Sequence, residues 1–284
     1  MGRRRARDRV EEQKEISVVP GVDLLADADR PESWFLLVKG TPQSHVDLSD
    51  PEYLDFAYMR RIAHAADLVA PQGAPIDALH LGAGAFSLAR YLAHTRPGSR
   101  QRAVDSDAAL VEMVRRRLPL DRRARLRVGI GDAREWIAAR HTNSADLIIS
   151  DVFAGACTPA HVTSVEFYAE AARVVRPDGF VVVNIGDGYA LRHTRAQVAT
   201  VRSILPHVVM TAEPGILRGR RFGNLVLVAG HRPLPAEELG RLAHRDSELA
   251  RLVDGKDLER FSSGHSEVHD ADAVDSPAPP EDFF

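Results

Sequence analysis

The chain carries a G-x-G at Gly82 and Gly84, inside HLGAGAFSLAR, and three later acids that each follow a short apolar run: Asp105 in AVDSD, Asp132 in GIGDA and Asp151 after LIIS. Glycines at such a junction permit a tight turn and a close backbone approach, and a helix opening there offers free N–H groups to a ligand. Asp105 stands about twenty residues past the glycines, where a carboxylate can take both ribose hydroxyls of a nucleoside. Ser87 occupies the place of the third glycine in a dinucleotide fingerprint, so a nicotinamide dinucleotide is not the expected ligand. Helix capping accounts for any one of the acids. It accounts less well for all three together with the G-x-G, and a nucleoside site is the reading that joins them.

Such acids act together only if parallel strands bring them to one rim. From Ile76 the chain alternates short apolar runs with amphipathic segments: DALHLG then FSLARYLAH, QRAVDSD then AALVEMVRRRL, RLRVGIGD then AREWIAAR. ADLIISD, SVEFYAEAARVV and FVVVNIGDG continue the alternation, with Pro177-Asp178-Gly179 expected to end the helix. This is the pattern of βαβ units, and ligands of open α/β sheets bind at the carboxyl ends of the strands. The predicted fold is α/β: a Rossmann-like, doubly wound, mostly parallel sheet over 71–232. HVVMTA and NLVLVAG follow with no clear helix between them and suggest an antiparallel edge.

Before that sheet, WFLLVKG and QSHVDL flank a turn and predict a small N-terminal β-hairpin. Asp50-Pro51 is expected to open a helix reaching about Leu68, so that 31–70 forms a hairpin and a helix. PAEELGRLAHRDSELARLV predicts a C-terminal helix within 233–260. Residues 1–30 and 261–284 are polar or rich in Ser, Asp and Pro, and flexible, disordered termini are expected there.

The composition narrows the function. A hydrophobic fraction of 44% supports a sizeable core, and a net charge of -3 leaves no global basic field, so nucleic acid is not the expected partner. Arg3 to Arg5 and Arg115 to Arg117 read as solvated runs. No apolar run is long enough for a membrane span, and no h-region follows the N-terminal charges, so a cytoplasmic protein with no membrane partner is expected. One cysteine, Cys157, excludes an internal disulfide and a Cys-cluster metal site. The histidines, of which only His265 and His269 stand four apart, predict no metal site and read as ordinary helix or surface residues.

At these residues the chain resembles the spermidine synthase family, the polyamine aminopropyltransferases, which share the class I methyltransferase-like fold. The resemblance runs from about Trp34 to Gly230. The family's GGGDGG, V-E-I-D, G-D-A/G and D-x-x-D-P motifs read here, in order, GAGAFS, Val104-Asp105-Ser106-Asp107, Gly131-Asp132-Ala133 and Asp151-Val152-Phe153-Ala154-Gly155. Its L-x-x-D-G-x-x-Q is similar to the segment from Leu36 to Gln43, and its Y-H-E-x-L-x-H to the segment from Tyr58 to His64. The resemblance implies that Asp105 holds a ribose, that Asp132 and Ala133 lie at the adenine, and that Gln43 touches the nucleoside or product. It further implies that Asp151 is the catalytic base with Tyr58 as hydrogen-bond partner. The co-substrate would be decarboxylated S-adenosylmethionine or S-adenosylmethionine itself, without a metal, and the acceptor an amine.

Four departures stand beside these matches. Ala85 and Ala154 replace family acids, Arg60 replaces the acid of Y-H-E, and Glu213-Pro214-Gly215-Ile216-Leu217 lacks the tyrosine of P-T-Y-P. Several of these remove groups that could hold an ammonium, so efficient use of putrescine is not expected. Two alternatives remain on the same fold: an S-adenosylmethionine-dependent methyltransferase, in which positioning does most of the work, and a noncatalytic binder of methylthioadenosine or S-adenosylmethionine. The acceptor and the oligomeric state, a homodimer included, are left open.

Overall fold

The computed structural model describes residues 15–19, 21–121 and 123–280. Four antiparallel strands come first, β1 (Glu15–Val19), β2 (Val22–Ala26), β3 (Ser33–Val38) and β4 (Thr41–Asp47), paired in sequence order. The hairpin is therefore half of a larger sheet, and part of the segment expected to be flexible is strand; residues 1–14 lie outside the described residues. The physical reason is burial. Val22, Leu24, Leu36 and Val46 pack against Phe86 and against Leu110, Val111 and Val114, which a mobile end would leave in water.

Helix α1 (Ala57–Leu68) begins later than Asp50-Pro51 suggested. Pro51 instead lies in a turn in which Tyr53 N–H donates to Asp50 O at 3.0 Å. Then come β5 (Asp77–Leu81), α2 (Ser87–Thr95), β6 (Arg100–Asp105), α3 (Ala108–Arg117), β7 (Arg125–Ile130), α4 (Ala133–Ala138), β8 (Ala145–Ser150), α5 (Val165–Val174) and β9 (Val175–Asp187). After these come α6 (Arg192–Ile204), β10 (His207–Ala212), α7 (Pro214–Leu217), β11 (Gly223–Gly230), α8 (Ala236–Arg245), β12 (Arg251–Val253) and α9 (Gly255–Ser262). Pro177-Asp178-Gly179 does not separate helix from strand, because β9 starts at Val175. At Gly179 a Cβ would come within 2.5 Å of Asp146 O, so glycine permits the strand to pass β8 there.

These elements build an eight-stranded sheet in the order β12-β10-β11-β9-β8-β5-β6-β7. The five strands from β9 to β7 are parallel; β11 lies antiparallel between β9 and β10. Strand order reverses between β5 and β8, which opens a crevice at their carboxyl ends. Both faces of the sheet are covered. Leu79, Leu81, Ile148 and Val181 pack toward α5 and α6, whereas Ala78, Leu147, Ile149 and Val182 pack toward α1 and α8. Continuous apolar runs such as LIIS in β8 are what a strand buried on both faces requires.

The C-terminal part also differs from the single helix expected. Helix α8 stops at Arg245, β12 adds an edge strand, and α9 follows. Residues 263–280 form no regular element yet are fastened to the body. Val268 O accepts from Val165 N (2.8 Å), and Ser276 N donates to Thr158 O (2.9 Å). Arg134 pairs with Asp270. Residues 281–284 lie outside the described residues. No described helix is long and apolar enough to cross a membrane.

Candidate active site

A cleft of about 300 Å³ lies over the crevice and is lined by the glycine loop, the ends of β6, β7 and β8, Tyr58, and Gln43 and Ser44 from β4. At Gly82 the backbone turns with φ +84°, and a Cβ there would stand 2.1 Å from the Asp151 carbonyl oxygen. Only glycine lets the two rim loops touch. A Cβ on Gly84, at φ +48°, would stand 2.5 Å from Ser44 Oγ, and that hydroxyl accepts from Ala85 N at 3.2 Å. The N-terminal sheet therefore sits directly on the glycine loop. Phe86 holds φ +61° without being glycine. Its 2% exposure marks a burial gain of about 2 to 3 kcal/mol that offsets a strain of about 1 to 2.

Asp105 closes the loop from the other side. Its Oδ2 accepts from Ala83 N and its Oδ1 from Asp107 N, both at 3.0 Å, and each oxygen keeps capacity for a further donor. Asp107 caps α3 through Leu110 N at 2.9 Å. Asp132 caps α4, its Oδ1 accepting from Arg134 N (2.8 Å) and Glu135 N (3.1 Å). Capping and cleft lining thus coincide in the same side chains. The Asp132 Oδ2 lies 2.7 Å from His161 Nε2. Burial raises the Asp132 pKa, but the Glu135 amide and His161 outweigh it and the net shift is downward. Ala133, the first residue of α4, is buried and lines the cleft beside them.

Asp151 follows β8, and its N–H donates to Leu81 O at 2.8 Å. Its Oδ1 accepts from Asn184 Nδ2 at 2.7 Å, and Asn184 Oδ1 accepts in turn from Asn224 Nδ2 at 3.0 Å. Because Asn224 fills the acceptor end of the Asn184 amide, the donor end must point at the carboxylate. Tyr58 also donates to Asp151. Burial pushes the Asp151 carboxyl up to about 6, against the opposing pull of Asn184 and Tyr58. The Tyr58 phenol is driven well above its ordinary value, first by burial and then by the adjacent carboxylate. Gln43 Nε2 reaches across from β4 to Gly155 O at 3.3 Å and ties the N-terminal sheet to the acidic loop.

The arrangement therefore combines a polar rim suited to a nucleoside with a carboxylate whose affinity for a proton has been raised toward neutrality. The Spermine/spermidine synthase domain model matches residues 55–211. The chain belongs to the spermine/spermidine synthase family. A probable spermidine synthase from Corynebacterium glutamicum is 33% identical, the match covering 87% of this chain and 92% of that one at a TM-score of 0.82. A spermidine synthase solved with the transition-state analogue AdoDATO is 16% identical over 90% of this chain and 85% of that one, with a TM-score of 0.58. The human methyltransferase-like protein 13, solved with SAH, is 19% identical over 80% and 92% of the two chains at a TM-score of 0.50. The last two likenesses concern the fold alone. No curated protein matches the sequence.

Among this spermine/spermidine synthase family member's departures, those at Ala85, Arg60 and Glu213 are accounted for by packing and pairing, and that at Ala154 is not. Ala85 is 1% exposed and lies in the core under the glycine loop with Val22 and Leu24, so its position does not line the cleft. Ala154 is exposed at the cleft. Arg60 turns from the site, its Nε donating to both Asp246 oxygens (2.9 and 3.1 Å) and its Nη1 to Leu54 O (2.9 Å). Glu213 is held by Arg221 and by Arg61, the latter at 3.5 Å.

Asn184, Asn224, His161 and Ser44 escaped the sequence reading. A polar residue inside FVVVNIG was a usable signal for Asn184, since a buried amide needs partners; nothing local marks Ser44 or His161. Cys157 is half-buried in the acidic loop, and burial raises its thiol pKa. Asp187 serves Gly188 N and Thr194, which makes it a turn and helix-start residue. Among the described residues no cluster of His, Cys, Asp or Glu could hold a metal ion.

Proposed function

We propose that this protein transfers an aminopropyl group from a decarboxylated S-adenosyl sulfonium donor to an amine. The observation that carries the reading is Asp151, poised near neutral pH and held by Tyr58 and Asn184 beside the nucleoside rim. In this reading the glycine loop and Asp105 hold the ribose, Asp132 and Ala133 border the adenine, and Gln43 closes the cleft over the bound nucleoside. An amine is a cation at neutral pH and has no lone pair to offer. Asp151 attracts it and takes its proton; the freed nitrogen attacks the carbon beside the sulfonium, the C–S bond breaks, and methylthioadenosine leaves. A donor that already carries positive charge needs no metal for this step.

The test pairs a stability-shift screen with an assay. A ligand that binds the folded state raises its stability with its affinity, so methylthioadenosine, S-adenosylmethionine and its decarboxylated form are compared, and methylthioadenosine release is followed with an amine present. The decarboxylated donor should stabilise most and be consumed. Stabilisation by S-adenosylmethionine alone, with methyl transfer, would replace this reading with the methyltransferase one. Binding of either without turnover would leave a noncatalytic binder.

A further inference from the structure

Among the described residues, four acids line the cleft: Asp105, Asp107, Asp132 and Asp151. The first three belong to the ends of β6 and β7, on one side of β5, where they serve the glycine loop, the start of α3 and His161. Asp151 stands alone on the β8 side. The apolar residues of the cleft lining on that side are Val152, Phe153 and Ala154 of its own loop and Met59 beside Tyr58. Other acids toward that end are already engaged: Glu213 by two arginines, Asp246 by Arg60, Asp187 by its own turn.

Resting on the aminopropyl-transfer reading, we infer that the acceptor is an amine with one basic nitrogen and an apolar remainder, rather than a diamine. The nitrogen goes to Asp151 and the hydrocarbon to the apolar wall. A second ammonium on the same short chain meets no second carboxylate in the described cleft lining on that side, and removing an unpaired charge from water is costly. An alkyl end gains from the same wall.

The test is calorimetric titration of 1-aminobutane and of 1,4-diaminobutane into the full chain saturated with methylthioadenosine. The expected result is about tenfold tighter binding of 1-aminobutane, or about 1.4 kcal/mol, with Ala154→Asp reversing the order by strengthening diamine binding. Equal or tighter diamine binding by the parent protein, or no binding of 1-aminobutane, overturns the inference. Turnover is read separately as methylthioadenosine release from the decarboxylated donor. Preferential monoamine binding without release would therefore refute the transfer reading while leaving the acceptor class standing.

Discussion

The two ends of the cleft are built on different terms. On the β5–β6–β7 side, the rim carboxylates are fixed by backbone: Ala83 N–H on Asp105, the Arg134 and Glu135 amides on Asp132, and a turn that admits only glycine. On the β8–β9–β11 side, the Asp151 carboxylate is held by side chains, Tyr58 and the Asn224–Asn184 pair. Main-chain anchoring ties a function to the fold and resists substitution. Side-chain anchoring lets neighbours change one by one, and it is at this end that the one departure lining the described cleft lies, Ala154.

The largest effect should come from Asp151→Asn, which breaks the amine side alone. Aminopropyl transfer should fall by about two to four orders of magnitude, while methylthioadenosine binding by calorimetry stays within about threefold. The same variant carries a stability signature. Since burial moves the carboxyl from its ordinary 3.8 to about 6, the folded state binds this proton more tightly than the unfolded chain. The associated stability is full below the ordinary value and is lost as pH rises through about 6. At pH 7 the variant, which bears no charge there, should be more stable than the parent by about 3 kcal/mol, and by little at pH 4; urea unfolding at both pH values checks this.

Gly82→Ala tests the contact where both ends meet. With a Cβ required within 2.1 Å of Asp151 O at positive φ, the variant should lose about 3 kcal/mol or more and bind nucleoside weakly. Unchanged melting and affinity would show that the rim loops are free to separate. Asp105→Ala should weaken methylthioadenosine by about 2 kcal/mol through loss of charge-assisted contacts; unaltered affinity would remove Asp105 from the ribose.

Asn184→Leu deletes a donor that favours the ionised carboxylate. The acid limb of the pH–rate profile should move to higher pH with about tenfold less activity at pH 7, and a limb that stays in place would assign Asn184 a packing role only. His161→Ala should do least, about threefold or less on nucleoside affinity, because the Asp132–His161 pair is partly exposed to solvent.

The parallel sheet was legible because its strands are buried on both faces and read as uninterrupted apolar runs, and its rim acids because each strand ends in one. The family motifs at Asp105, Asp132 and Asp151 lie on the cleft as their order along the chain implied. What stayed hidden was whatever depends on distant partners. Arg96, one of many arginines, is 1% exposed and donates to five carbonyls between Ala66 and Ala74; no local pattern separates it from a surface cation. Strands β1 and β2 and the fastened segment after α9 carry weak patterns and are ordered by the body they lie on. Ala85 looked like a lost ammonium ligand because alignment records a position in the chain and not which way the residue packs.

The hydrogen bonds that join Val268 to Val165 and Thr200, and Ser276 to Thr158, set an order of assembly. On a nascent chain, β5 to β9 can pair and bring Asp105, Asp132 and Asp151 to one rim well before residue 276 has been made. The segment 158–166, which carries His161, acquires its outer anchors only when that late stretch arrives, because contacts so far apart in sequence close last. A stalled or shortened chain would therefore present a formed acidic rim beside an unanchored wall. Limited proteolysis near Thr158 would then report on whether synthesis had reached the strap.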